Sequence, residues 1–288
     1  MTRALIFVML LILGSAVLFS VTTQESGGAL SKLRGPSVDA PQPAIDWRSL
    51  GKLRVVFGHQ SVGEDILRGM AQLATRDGTR IEIREGRTAP VAPGIKHFAI
   101  GSNGDPHGKI RDFSAAIDAG AARGADVAMM KLCYVDFDAR TDAQQVANDY
   151  IAHLDSLAQQ HPATRFVAVT VPLMAVQSGP RAWIKQLLGR SPSGYEDNVR
   201  RAEFNAALRL RYASEGHLFD LAGAESAGSD GTGKCCIVNV DGLGVEALNP
   251  ELTHDGGHLN ERGQAVVASA LLRYLGFLAS RPARQVAG

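Results

Sequence analysis

The sequence predicts an α/β fold: a three-layer α/β/α sandwich with a central parallel sheet. Three observations predict it. Short runs at 53–57, 126–133 and 165–171 are rich in Val, Met and Phe and apolar at most positions, as strands buried on both faces require. Stretches with apolar residues at helical spacing, such as 62–75 and 143–160, separate them. Their alternation along the chain implies parallel strands joined by right-handed crossovers.

Each element follows in order. The run Leu53-Arg-Val-Val-Phe57 reads as a strand ended by Gly58. Ile66, Leu67, Met70 and Leu73 give 62–75 a helical face, and 80–84 alternates Ile81 and Ile83 with charges, as a half-exposed strand does. Residues 110–121 form the next helix and 126–133 the next buried strand. The stretch 143–160 is helical and lacks Gly and Pro. A third buried strand, 165–171, closes at Pro172. Helix 198–212, a short strand 217–221 and an amphipathic helix 261–278 complete the series, while 177–196 and 226–250 read as irregular. In such sheets ligands bind beyond the carboxyl ends of the strands, so chemistry is expected after Phe57, Cys133 and Val171, and before the last helix.

Composition bounds the class. The 288 residues are 45% hydrophobic and 20% charged, which suits a folded chain with a sizeable core. Thirty Lys and Arg against 29 Asp and Glu leave a charge of +1 and no basic excess for nucleic acid. At the N-terminus, Arg3 precedes an uncharged run from Ala4 to Val21, the pattern of an export signal. A cleaved signal peptide and an uncleaved single membrane anchor both fit 1–22, and both place the rest outside the cytoplasm, in the periplasm, outside the cell or on the outer face of the inner membrane. The Ser-, Gly- and Pro-rich stretch 23–46 reads as a linker, 47–280 as one domain and 281–288 as a tail. Of the three cysteines, Cys235 and Cys236 are adjacent and not expected to bond to each other, because the ring so formed is strained; a link from Cys133 to either stays open. Trp47 and Trp183 are expected to pack inside rather than form sugar platforms.

Two motifs fall where chemistry is expected. Gly58-His59-Gln60-Ser61-Val62-Gly63 places a serine where helix N–H groups point outward, suited to an attacking oxygen and an oxyanion. The same serine suits a plain N-cap. Asp255-Gly256-Gly257-His258-Leu259-Asn260 places a carboxylate three residues before an imidazole, able to hold its Nδ1 proton and leave Nε2 to accept another. A metal held by His254, Asp255 and His258 is the weaker reading, since no further ligand cluster completes it. No metal or organic cofactor is expected.

The serine after the first strand and the Asp-x-x-His before the last helix together resemble the SGNH, or GDSL-type, hydrolase family. The resemblance runs from Val55 to about Leu275, is most specific in Asp255-Gly-Gly-His-Leu-Asn-Glu-Arg-Gly263, and extends to Asp197-Asn-Val-Arg-Arg-Ala-Glu-Phe-Asn205 and Thr170-Val-Pro172. It implies a flavodoxin-like sheet and a triad of Ser61, Asp255 and His258. For the oxyanion hole and substrate contacts it implies the Ser61 N–H and Gly104, with Gly101 and Gly108 behind it. The chain departs from the family at Leu132-Cys-Tyr-Val-Asp136, where Val135 stands in place of an asparagine, so Asn103 or Gln60 is expected to supply the donor. His59 and Asp136 are further candidates for substrate contact, whereas Lys109 and Arg111 are expected to solvate a helix start. The implied activity is hydrolysis of an O-acyl ester on a glycan or lipid. Transfer of the acyl group to a sugar hydroxyl, and glycan binding without catalysis, are the alternatives.

Overall fold

A computed structural model describes residues 44–88, 91–228, 235–240 and 242–281. The export segment expected at 1–22, nearly all of the linker and the tail beyond Arg281 lie outside the described residues. One turn, α1 (Trp47–Leu50), begins where the Asp46 carboxylate accepts from the Ser49 N–H. It precedes β1 (Arg54–His59), and Ser61 then opens α2 (Val62–Arg76). After β2 (Ile83–Glu85) and β3 (Gly94–Ala99), α3 (Pro106–Asp118) starts on an Asp105 cap with proline at its first position, where no N–H is missed. Next come β4 (Val127–Met130), a 3₁₀ turn at Tyr134–Asp136, α4 (Ala143–Gln160) capped by Asp142, and β5 (Arg165–Val169). The chain continues through α5 (Pro180–Leu187), α6 (Tyr195–Tyr212), β6 (Leu218–Phe219) and α7 (Leu221–Glu225). A hairpin, β7 (Ile237–Val240) with β8 (Leu243–Glu246), precedes α8 (Glu261–Ala279), whose first turn is capped by Asn260.

Six strands form one sheet in the order β2-β3-β1-β4-β5-β6, every pair parallel; β7 and β8 form a separate antiparallel pair. Without the short edge strand β2, this is a doubly wound order with its switch point between β1 and β4. Side chains alternate across the sheet with period two. Val55, Phe57, Val127, Met129, Val167 and Val169 pack beneath α2 and α8, while Val56, Ala128, Met130, Phe166 and Ala168 pack beneath α3, α4 and α6. The predicted three-layer α/β/α architecture is the observed one. Fully buried Tyr150 pins the sheet from α4: its hydroxyl donates to the Met130 carbonyl and accepts from the Val169 N–H, joining the ends of β4 and β5.

Several elements differ from their expected bounds. The strand expected at 80–84 pairs only over 83–85, and the helix expected at 110–121 begins at Pro106, where the Asp105 cap makes an earlier start favourable. Strand β3 lies in a stretch whose Lys96 and His97 interrupt its apolar character. The two regions read as irregular hold α5 and the hairpin. Trp47 packs against the core, but Trp183 is 63% exposed, contrary to expectation. Cys235 and Cys236 are bonded to each other, which corrects the cysteine reading. Cys133 is free and buried.

Candidate functional site

Ser61 stands between the carboxyl end of β1 and the first turn of α2. Among the described residues it is the one non-glycine with positive φ (φ 40°, ψ −96°). A side chain tolerates that conformation only under constraint, and such strain gathers at functional turns. The constraint is visible here. Gly58 leaves no room for a Cβ beside Phe113, and the backbone of Gly63 lies directly against the His59 ring. The Ser61 hydroxyl makes no capping hydrogen bond, although serine at this position ordinarily caps the helix. Its oxygen is therefore uncommitted within the chain.

The second motif folds into a closed loop before α8. Thr253 and Leu259 bridge its base, and the Gly256 N–H donates to Thr253 Oγ1 at 2.9 Å. Asp255 Oδ1 accepts the N–H groups of Gly257 and His258 at 2.9 and 2.8 Å, and Oδ2 lies 2.7 Å from His258 Nδ1. These bonds, with the Gly257 N–H foremost, hold the Asp255 carboxyl well below the usual carboxylate range. The carboxylate thus fixes the Nδ1-protonated imidazole and leaves Nε2 as the accepting nitrogen. The Tyr134 hydroxyl lies 3.4 Å from both ring nitrogens and the rings meet edge to face, an approach open only because residue 257 is glycine. A bond from the Leu259 N–H to Asp65 Oδ2, at 3.1 Å, fastens this loop to the first turn of α2. Ser61 and His258 therefore belong to segments joined within one helical turn of each other, though no hydrogen bond connects their side chains.

The remaining predicted contacts are committed elsewhere. Asp136 is a buried hub rather than a substrate contact. Its carboxylate takes Lys109 Nζ at 2.8 Å on both oxygens, the Gly104 N–H at 2.8 Å and the Cys133 N–H at 2.6 Å. Both side chains of the pair are inaccessible to solvent, so Lys109 does not solvate a helix start. Gly104 has thereby spent its N–H, and the two glycines behind it have done the same: Gly101 donates to Asp112 and Gly108 to Asp105. The Gln60 amide donates to the carbonyls of Ile100 and Gly101. Of the donors expected at the oxyanion hole, two make no hydrogen bond among the described residues. They are the main-chain N–H of Ser61 and the amide –NH2 of exposed Asn103, whose Oδ1 accepts from Lys109. Val135, at the position where the resemblance implies asparagine, is 45% exposed.

His59 is fully buried and does not face the site. Its Nε2 lies 3.1 Å from His97 Nδ1, with Glu64 Oε1 3.9 Å from each nitrogen. Burial, with Lys131 nearby, lowers the His59 pKa to about 3, so the His59 ring is neutral where it meets His97. Among the described residues this trio alone brings three His, Cys, Asp or Glu ligand atoms within 4.8 Å; His254, Asp255 and His258 do not converge in that way. Beneath the serine turn, fully buried Lys131 reaches the Leu132 carbonyl at 3.2 Å and Cys133 Sγ at 3.5 Å, and burial lowers its pKa. The motif helix α6 clamps the site from behind. Arg201 donates to the carbonyls of Tyr134 and Phe137, while Asn198 and Asn205 bond both main-chain groups of Met174 and Val171. Sequence reading missed His97, and took Lys131 or Arg111 as the partner of Asp136, a place that Lys109 holds. A lysine within the apolar run DVAMMKLC was the available signal that Lys131 is buried.

No protein-family profile matches the chain, and no curated protein sequence does. Solved structures are similar in fold. A GDSL-like lipase from Bacteroides thetaiotaomicron is 11% identical, covering 80% of this chain and 90% of its own, with a TM-score of 0.43. The periplasmic domain of a lipopolysaccharide acetyltransferase from Salmonella Paratyphi A is 12% identical over 78% and 84%, with a TM-score of 0.43. A psychrotrophic esterase from Pseudoalteromonas is 9% identical over 77% and 96%, with a TM-score of 0.42.

Proposed function

We propose that the chain is a serine-dependent ester hydrolase of SGNH type, with Ser61 as nucleophile and His258 and Asp255 as its base and orienting acid. One observation carries the reading: an uncapped, positive-φ serine opens the same helix turn to which a preassembled Asp–His loop is bonded. In the proposed step His258 Nε2 takes the Ser61 proton as Oγ attacks the ester carbonyl. The Ser61 N–H and the Asn103 amide donate to the oxyanion. The protonated imidazole then gives its proton to the leaving alkoxide, and a water molecule, deprotonated by the same nitrogen, releases the acid. His258 and Asp255 are 47% and 57% exposed at their side chains, which leaves room for an acceptor hydroxyl in place of water. Acyl transfer to a glycan is accordingly the second reading. The N-terminal segment would place either chemistry outside the cytoplasm, on an ester of envelope glycan or lipid.

The test is hydrolysis of an aryl acetate by the full chain beside Ser61→Ala and His258→Ala, with folding checked by circular dichroism. Loss of a hundredfold or more in kcat/KM in both variants is expected. A Ser61→Ala protein that matches a turning-over wild type sinks the nucleophile assignment. An inert wild type that also fails to acylate a glycan acceptor sinks both readings.

A further inference from the structure

Helix α5 carries its apolar side outward. Trp183, Ile184, Leu187 and Leu188, at its last turns and C-cap, are 63%, 49%, 70% and 67% exposed, whereas the one buried residue of the helix is Ala182. At about 100° per residue the four large side chains fall within an arc of about 140°, so they form one stripe. A stripe of that width ordinarily faces the body of a soluble protein, and an apolar patch turned to solvent marks an interaction surface. The helix and its immediate flanks carry cations, and the nearest acid along the chain, Glu196, accepts from Ser191 Oγ. Arg181, Lys185 and Arg190 lie within 177–195, a stretch without Asp or Glu, and none of the three makes an ion pair among the described residues. Lys185 Nζ instead donates to Ser193 Oγ.

We propose that α5 docks the protein on the surface of an anionic lipid bilayer. An outward apolar stripe bearing tryptophan and leucine and flanked by unpaired cations is the composition of a helix lying in the membrane interface. The cations favour a negatively charged lipid surface over the neutral apolar groove of a protein partner, because only the former complements both parts of the patch. The helix lies in the segment that leaves β5, and in that segment the Ala175 N–H donates to the Gly256 carbonyl, in the loop that holds Asp255 and His258. The inference rests on α5 alone and does not require the hydrolase reading.

The experiment uses the full chain with Trp47→Phe, which leaves Trp183 as the sole tryptophan. Vesicles of phosphatidylglycerol and phosphatidylcholine with brominated acyl chains report whether the Trp183 ring enters the interface. The expected result is at least about a twofold loss of Trp183 emission, reduced in phosphatidylcholine alone or in high salt. In Leu187→Glu with Leu188→Glu that quenching is lost, even if the N-terminal segment still carries the chain down with the vesicles, while hydrolysis of a soluble ester keeps its wild-type rate. Vesicle-bound chain with unquenched Trp183 overturns the proposal, as does quenching indifferent to anionic lipid. An emission shift that depends on protein concentration in the absence of lipid also overturns it, and assigns the face to a second copy of the chain.

Discussion

The strain at Ser61 is measurable independently of any activity. A residue held at positive φ stores about 1–3 kcal/mol, which glycine largely relieves. Ser61→Gly is therefore expected to be more stable than Ser61→Ala by about 1 kcal/mol in urea unfolding, with both variants losing hydrolysis. A glycine variant no more stable than the alanine one would show that the turn is not strained. Single residues were unevenly legible in the sequence. Asp255 and His258 could be read because their pairing is local, three residues apart on one loop. That Gly104 and Gln60 are not free to donate could not be read, because what commits them is distant. Gly104 loses its N–H to a carboxylate 32 residues away, and Gln60 spends its amide on carbonyls across the sheet.

At the scale of elements, the segments that follow β3 and β4 are tied by the buried Lys109–Asp136 pair as well as by the packing of Ile100, Leu132 and Phe137. Removing one partner leaves a buried charge uncompensated, so Asp136→Ala is expected to cost about 3–5 kcal/mol in urea unfolding. A loss below about 1 kcal/mol would mean that Lys109 finds water or another acceptor, and that the hub is dispensable. Elements whose apolar stripe faces the core were read almost to the residue, as α4 and α8 show. Those obeying another rule were missed. Helix α5 turns its stripe away from the core, and β7 and β8 are four-residue strands in a Gly-rich stretch. The spacing of Asn198, Arg201 and Asn205 was visible as a pattern, but its meaning, a clamp on the main chain after β4 and β5, needed the fold.

At the scale of the whole molecule, two buried groups set opposing dependences of stability on pH. Glu225 is wholly buried, with Oε2 accepting the Leu173 N–H and Oε1 unpartnered, and burial pushes its carboxyl up to about 8. The folded state keeps that proton where the unfolded chain has lost it. The Glu225 contribution is thus full below about 4.5 and is lost as pH rises to about 8, at up to about 1.4 kcal/mol per pH unit. His59 acts the other way: its contribution is full above about 6.5 and is lost as pH falls toward about 3. Glu225→Gln should consequently gain on wild type between pH 5 and 8 in urea midpoints, and a flat difference across that range would refute the assignment. The parallel sheet and its two covering layers followed from the alternation of patterns, because burial on two faces leaves a strand few polar positions; the strand order did not, since β3, with Lys96 and His97, gave no strand pattern. The Thr253–Asn260 loop has a different kind of consequence. Its carboxylate, imidazole and closing bridge all belong to eight consecutive residues, and one bond from Leu259 attaches it to α2. It is in effect a cassette. Evolution or an engineer can exchange the serine turn, or graft the loop before the last helix of another doubly wound sheet, without rebuilding the Asp–His pair.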